Sequence, residues 1–393
     1  MKAVLRRTYL IILCALFSIA TKADKEMPIV AFLGVPDNPS LDQTYRDFSE
    51  CGFTVNIFTF SHTTSLVKVC NIADKYGVKV IGRCPEMDSA TEETARLLKQ
   101  TKGFLGYYIQ DEPSVADIKQ LQSRILRIKA VDDTHIFYVN LLPYYRQDWF
   151  TTSAKVDTYE EYLEAASTLP CQQISFDFYP ITTEGIRPTW YNNLEQIRRE
   201  SLKSKKPFWG FVLSTPHSAY PQPTLGSLRL QIYSNLAYGA QAIQYFTYWT
   251  PRPTSYDYHD GPIDSECRKN ATWTLVQQMN RELKTVAKLF YGAKVLSVHH
   301  LGTIPEGTTR QKQMPVNIRS LKIVGRQGAI ISQIEKEGHR YLAIVNKSHE
   351  KNLTVRLRYR NSKPRQLTKQ LKAVAVKSTY TVAPGDLLLF RLR

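Results

Sequence analysis

Eight short runs of β-branched and aromatic residues punctuate this chain: PIVAFLGV, TVNIFTF, VKVIGRCP, FLGYYIQDEP, IFYVNLLP, QISFDFYPI, PFWGFVLST and AIQYFTYWT. Runs of this length and composition read as buried strands. Between them lie amphipathic stretches such as LDQTYRDFSECG, SLVKVCNIADKYG, ATEETARLLKQTKG and SVADIKQLQSRILRIKAV, whose apolar residues recur at helical spacing. Gly52, Gly77 and Gly103 fall where a helix must stop before the next strand. The longer insertion DWFTTSAKVDTYEEYLEAASTLPC separates the fifth and sixth runs, and ATWTLVQQMNRELKTVAKLFYG follows the eighth as a long closing helix. Eight strands alternating with helices over roughly 270 residues predict a (β/α)8, or TIM, barrel. A doubly wound sheet has fewer repeats, and no GxGxxG follows the first run.

From about Leu296 the apolar spacing changes to period two, as in GAIISQIEKEGHRYLAIVNKSHEKNLTVRLRY and YTVAPGDLLLFRLR. This predicts a small antiparallel β domain. A length of 393 residues suits one large domain and one small one, and the 43% apolar fraction supplies a core for both. The expected division is a signal segment over residues 1–23, a barrel over 24–295 and a basic β domain over 296–393. No flexible linker separates the last two, so they are expected to pack together.

The N-terminal segment has a basic region with Lys2, Arg6 and Arg7, an apolar run over residues 9–20 and a small residue, Ala23, before the expected cleavage point. That pattern predicts export, to the outside of the cell or the periplasm. The apolar run is too short for a stable membrane span. Cys14 follows the bulky Leu13, which disfavours lipid attachment. Cys51, Cys70, Cys84, Cys171 and Cys267 form no CxxC pair and read as buried free thiols rather than a disulfide framework or zinc site.

The net charge of +17 suggests nucleic acid until it is located. Residues 310–393 hold nineteen Lys and Arg against four acids, so nearly all the excess lies in the C-terminal fifth. The rest of the chain is close to neutral, and nucleic acid is not an expected partner. An acidic glycan or anionic surface could use the basic region; a solvated basic face is the simpler explanation.

A barrel of this kind keeps its chemistry at the C-terminal ends of its strands. Those ends carry Asp111 and Glu112 (fourth), Asn140 (fifth), Asp177 and Tyr179 (sixth), His217 (after the seventh), and Tyr248 and Trp249 (eighth). Carboxylates and an amide bind hydroxyls, and aromatic faces stack on sugar C–H faces, so this set describes a carbohydrate site. Successive strand side chains point to opposite sides, so Asp111 and Glu112 can both face the mouth only if the strand breaks there. Pro113 makes such a break natural. A competing explanation is helix capping, for which Ser114 alone suffices. Asp177 sits between Phe176 and Phe178, where an acid needs either an ion-pair partner or a chemical role. Ser214 and His217 lack the GxSxG elbow of a hydrolase triad. His299 and His300 lie beyond the barrel and read as structural. The pattern implies no organic cofactor and no metal.

With the acid pair at the end of the fourth strand, glutamate second, the chain resembles the clan A glycoside hydrolases. It is most similar to the family 42 β-galactosidase-like group and to secreted bacterial relatives in which this strand ends DEPS. The tail RYLAIVN…LTVRL…PGDLLLFRL looks like the β-sandwich that follows many such barrels. The resemblance implies that Glu112 is the general acid/base. It also places an asparagine where Asp111 stands, and a glutamate nucleophile at the end of strand seven, where this chain reads PFWGFVLSTPH with no acid. Asp177, or an acid of YDYHDGPIDSE (Asp257, Asp260, Asp264, Glu266), could supply the second carboxylate, or a substrate acetamido group could replace it.

The expectation is therefore an exported glycoside hydrolase that cleaves a poly- or oligosaccharide. Glu112 and Asp177 form its catalytic pair; Asp111, Asn140, Tyr179, His217, Tyr248 and Trp249 line the sugar site. The alternative is a barrel that binds glycans without cutting them.

Overall fold

A computed structural model describes residues 26–253 and 255–392. The expected signal features, Lys2, Arg6, Arg7, residues 9–20 with Cys14, and Ala23, lie outside the described residues.

All eight predicted strands form, as Ile29–Phe32, Val55–Thr59, Lys79–Arg83, Phe104–Asp111, Ile136–Leu141, Ile174–Phe176, Phe208–Leu213 and Ala242–Phe246. Each pairs in parallel with its neighbours, and the first closes on the eighth in the register Ile29↔Ile243 to Phe32↔Phe246. Parallel pairing brings every C-terminal strand end to one mouth. The inside is filled by side chains rather than left open. Phe32 packs edge-on against Tyr108 and Phe211 with centroids 5.6 Å apart, and Tyr138 and Trp209 fill a deeper layer.

Helices cover the outside. Gly52, Gly77 and Gly103 adopt the positive φ that ends a helix before a strand, at 98°, 69° and 79°. At Gly103 a Cβ would lie 2.2 Å from the Cys70 carbonyl oxygen, so close approach as well as φ requires glycine. The insertion after strand five folds into helices Gln147–Ala154 and Tyr159–Ser167. Ser114 caps helix Val115–Lys129 in a capping box with Asp117. The cap thus needs neither Asp111 nor Glu112.

After the long helix Ala271–Phe290 come two antiparallel sheets. Six strands, ordered Lys294–Leu301, Ala329–Lys336, His339–Asn346, Leu387–Arg391, Arg365–Leu367 and Ala373–Val374, form one; Ile318–Val324, Leu353–Tyr359 and Thr379–Val382 form the other. Ile331, Ile344 and Phe390 meet Leu321, Val355 and Tyr380 between the sheets. The opposite face of the larger sheet, with Ile330, Ala343, Val345 and Leu389, belongs to the barrel's own core. The helix Leu225–Tyr238 is buried nearly all round because this sheet lies on it. The two domains therefore pack directly. Cys51, Cys70, Cys84 and Cys171 are buried free thiols and Cys267 is a half-buried one. Among the described residues, no helix is long and apolar enough to cross a membrane, and no group of three His, Cys, Asp or Glu is placed to hold a metal ion.

Candidate active site

The two adjacent acids reach the same mouth because the strand breaks between them. Asp111 is the last residue of the fourth strand and pairs with Asn140 of the fifth, so their side chains stand together on one face. Glu112 leaves the strand in the left-handed region, at φ 43°, while its N–H still donates to the Asn140 carbonyl at 2.8 Å. For a residue with a Cβ that conformation costs about 1–2 kcal/mol. It cancels the strand alternation and swings Glu112 round beside Asp111. The insertion helix holds the turn from below. Tyr162 donates its hydroxyl to the Pro113 carbonyl at 2.9 Å and accepts the Leu142 N–H at 3.1 Å, joining the loops after strands four and five.

Asn140 is the hub. It is 2% exposed, and its Nδ2 donates to Asp111 Oδ1 at 3.1 Å and to Asp177 Oδ1 at 2.9 Å. Its Oδ1 accepts from Ser175 Oγ at 3.0 Å. The chain of bonds continues into the barrel. Gln244 donates to Ser175 Oγ at 2.8 Å, and the Tyr138 hydroxyl donates to Gln244 Oε1 at 2.8 Å. These bonds fix which way the Asn140 amide points. They also fix where two carboxyl groups meet.

Asp177 lies just past the end of strand six and is 8% exposed. Burial pushes its carboxyl well above the carboxylate range, and the neighbouring charges of Glu112 and Asp111 push the same way. Its carboxyl and that of Glu112 act on each other, so the two titrate as a pair. Burial, with the Asp111 charge, raises Glu112 to about 7. Asp111 is exposed to solvent at the end of the fourth strand, yet the surrounding protein desolvates its carboxyl and raises it to about 6, against the Asn140 hydrogen bond. Three carboxyls in one site cannot all ionise. Near neutral pH the buried Glu112 and Asp177 pair therefore retains a proton between them, while Asp111, raised less, ionises first.

The other wall is aromatic. His217 is enclosed by Tyr220, Phe246, Tyr256 and Tyr258, with ring centroids 4.7–6.0 Å away. Its Nδ1 donates to the Thr215 carbonyl at 3.0 Å, and burial lowers its pKa, so the ring is neutral with Nε2 as an acceptor. Tyr179 packs on Phe211, Tyr220 and Phe246 and joins this wall to the barrel interior. Trp249 is half-buried, edge-on to Phe58 at the end of strand two, with its indole N–H on the Ser265 carbonyl.

Tyr248 does not line the mouth. Strand eight ends at Phe246, and the Tyr248 ring turns outward between Phe48 and Phe53, at 0% exposure, with its hydroxyl accepting from Trp273. The apolar slot between helix Leu41–Glu50 and the long helix attracts the ring more strongly than the wet mouth does. The loop acids are engaged locally: Asp257 with the Ser218 N–H, Asp260 with His259, Asp264 with Arg268 and Glu266 with Arg252. Strand seven ends at Leu213, and the segment STPHSAYPQPT that follows it carries no acid. Tyr138, Ser175, Gln244 and Tyr162 were not expected at the site. A polar residue inside an apolar strand, the signal that marked Asp177, marks Ser175 and Gln244 as well.

Residues 105–286, under half of the chain, match the family model described as β-galactosidase of glycoside hydrolase family 42. No curated protein matches. A catalytic mutant of a GH42 β-galactosidase from G. stearothermophilus shares the fold, with TM-score 0.63 and 8% identity over 93% of this chain and 98% of that one. The β-galactosidase from Bacillus circulans sp. alkalophilus gives 0.61 and 8% over 93% and 99%. This chain spans 60% of the β-galactosidase from the psychrophilic Marinomonas ef1, covering 67% of its own length at 10% identity and TM-score 0.47. The family match and the closed barrel together make the chain similar, over its barrel, to glycoside hydrolase family 42.

Proposed function

We propose that the barrel hydrolyses an O-glycosidic bond of a poly- or oligosaccharide with Glu112 as the general acid/base. The observation that carries this reading is the proton-sharing set of Asp111, Glu112 and Asp177 around Asn140 at the strand ends. A general acid works best when its pKa lies near the working pH, and Glu112 is raised to about 7. Glu112 gives its proton to the leaving oxygen as the glycosidic bond breaks. Asp177 is enclosed, and burial disfavours its ionised form, which makes it a poor nucleophile; with Glu112 it keeps a proton at the site. Asp111 is ionised above about 6 and reached by solvent, so it takes the role of second carboxylate. His217 and the aromatic wall receive the sugar.

Glu112→Gln keeps the shape and removes the titrating proton. Its kcat on unactivated glycosides is expected to fall by about 10²–10⁴. For the wild type, activity should rise as Asp111 ionises near pH 6 and fall as Glu112 loses its proton near pH 7, a narrow bell whose two limbs belong to the coupled set. Undiminished hydrolysis by Glu112→Gln across a panel of oligosaccharides removes Glu112 from the mechanism. The acid-free end of strand seven favours a second reading, a barrel that binds glycans without cutting them. Saturable sugar binding with no product after prolonged incubation would select it.

A further inference from the structure

The C-terminal domain carries two cationic clefts side by side. One lies on the outer face of the three-stranded sheet. Lys322 stands opposite Arg356, and Ser320 opposite Arg358. A bulge between Ile318 and Ser320 inserts Arg319 beside them. The alternate residues Leu321, Val355 and Leu357 point into the sandwich core, so the outward row is cationic. Arg319, Ser320, Lys322, Arg356 and Arg358 enclose a cleft of about 350 Å³. The second cleft, about 590 Å³, is lined by His339, Arg340, Arg365 and Arg391 with Val316, Gly338 and Leu392. There Arg365 faces Arg391 across the ladder, and the Arg391 guanidinium lies 2.8 Å from His339 Nε2. Val316 of one cleft and Arg319 of the other are three residues apart, at most about 11 Å of chain, so the clefts are neighbours.

No carboxylate lines either cleft. Among the described residues, Arg319, Lys322, Arg356, Arg358 and Arg365 enter no ion pair, whereas Arg229 and Lys369 are paired with Glu282 and Asp386. Like charges directly opposite one another in a strand pair oppose folding, so the row has no structural benefit of its own. A bound polyanion removes the repulsion.

We propose that the two clefts form one site for an acidic polysaccharide, which anchors the enzyme on a polymer while the barrel works on it. Guanidinium forks take carboxylates through paired N–H bonds. No Phe, Tyr or Trp lines either cleft, so bases of a single-stranded nucleic acid would lack the large aromatic faces on which they stack best. The choice of a polysaccharide rests on the glycosidase reading above; the cationic site does not.

The test measures binding of the full chain to polygalacturonate, neutral dextran and single-stranded DNA of matched charge, at 50 and 200 mM salt. Binding to polygalacturonate and not to dextran is expected, weakening about tenfold or more with salt. Lys322→Gln/Arg356→Gln/Arg358→Gln should weaken it at least about tenfold, and so should Arg365→Gln/Arg391→Gln. Both variants should cleave small aryl glycosides as the wild type does. Unchanged affinity in both variants, or tighter binding of the DNA, overturns the proposal. Polygalacturonate binding without hydrolysis of any glycoside sinks the catalytic reading and leaves this one standing.

Discussion

At the residue scale, the site is built at the expense of stability. Asp177 is a buried carboxyl whose ionised form the fold disfavours. Its folded pKa is raised, so its contribution is fully present below the ordinary carboxylate range and is lost as pH rises towards the folded value. Asp177→Asn removes that dependence and can still accept from Asn140. The variant is expected to match the wild type near pH 4 and to melt progressively higher above it, by on the order of 2 °C per pH unit. A melting difference that stays constant from pH 4 to 8 would show that Asp177 is ionised in the fold. The presence of an acid at these positions was legible in the sequence, because a charge within an apolar strand is conspicuous. Its protonation was not legible, since that depends on Glu112 and Asp111 arriving beside it from strand four.

At the scale of elements, the insertion after strand five acts as a brace. Helix Tyr159–Ser167 presents Tyr162 to both the Pro113 carbonyl and the Leu142 N–H. Tyr162→Phe keeps the ring packing and removes both bonds. It should cost about 1–3 kcal/mol and lower kcat more than it raises KM, because the left-handed turn at Glu112 loosens. An unchanged kcat with a lowered melting temperature would make the brace purely structural. The insertion was visible as a helical stretch, but nothing local to it names Pro113 as its partner. Tyr248 shows the reverse limit. Carrying strand eight on through Tyr248 and Trp249, past its end at Phe246, put an aromatic ring on the mouth, whereas an apolar slot formed by helices far away in sequence holds it outside.

At the scale of the molecule, a charge network joins the two domains. Arg229 of the barrel and Lys369 of the β domain both reach Glu282, and Asp386 completes the set. Burial alone would raise Glu282, but hydrogen bonds from Arg229, Lys369 and Tyr233 outweigh it and lower its pKa. Its stabilisation is therefore present above the ordinary carboxylate range and is lost as pH falls below it. Glu282→Gln leaves the half-buried Arg229 and Lys369 with only Asp386 to share, at a cost of about 1–3 kcal/mol. Calorimetry should then show separate transitions for barrel and sandwich where the wild type shows one. A single transition at an unchanged temperature would show that the apolar face of the six-stranded sheet holds the domains together without the network.

The sequence by itself determined the architecture. Strand and helix periodicities are local properties, and eight repeats followed by a change of period leave little choice of fold. It also located the chemistry at the strand ends and the cationic excess in the last domain. Only the tertiary structure decided which acids meet, which of them hold protons, which aromatics face the mouth, and how the cations form neighbouring clefts. A carboxyl's charge and a ring's direction are set by groups brought near through packing, and no local pattern encodes those neighbours.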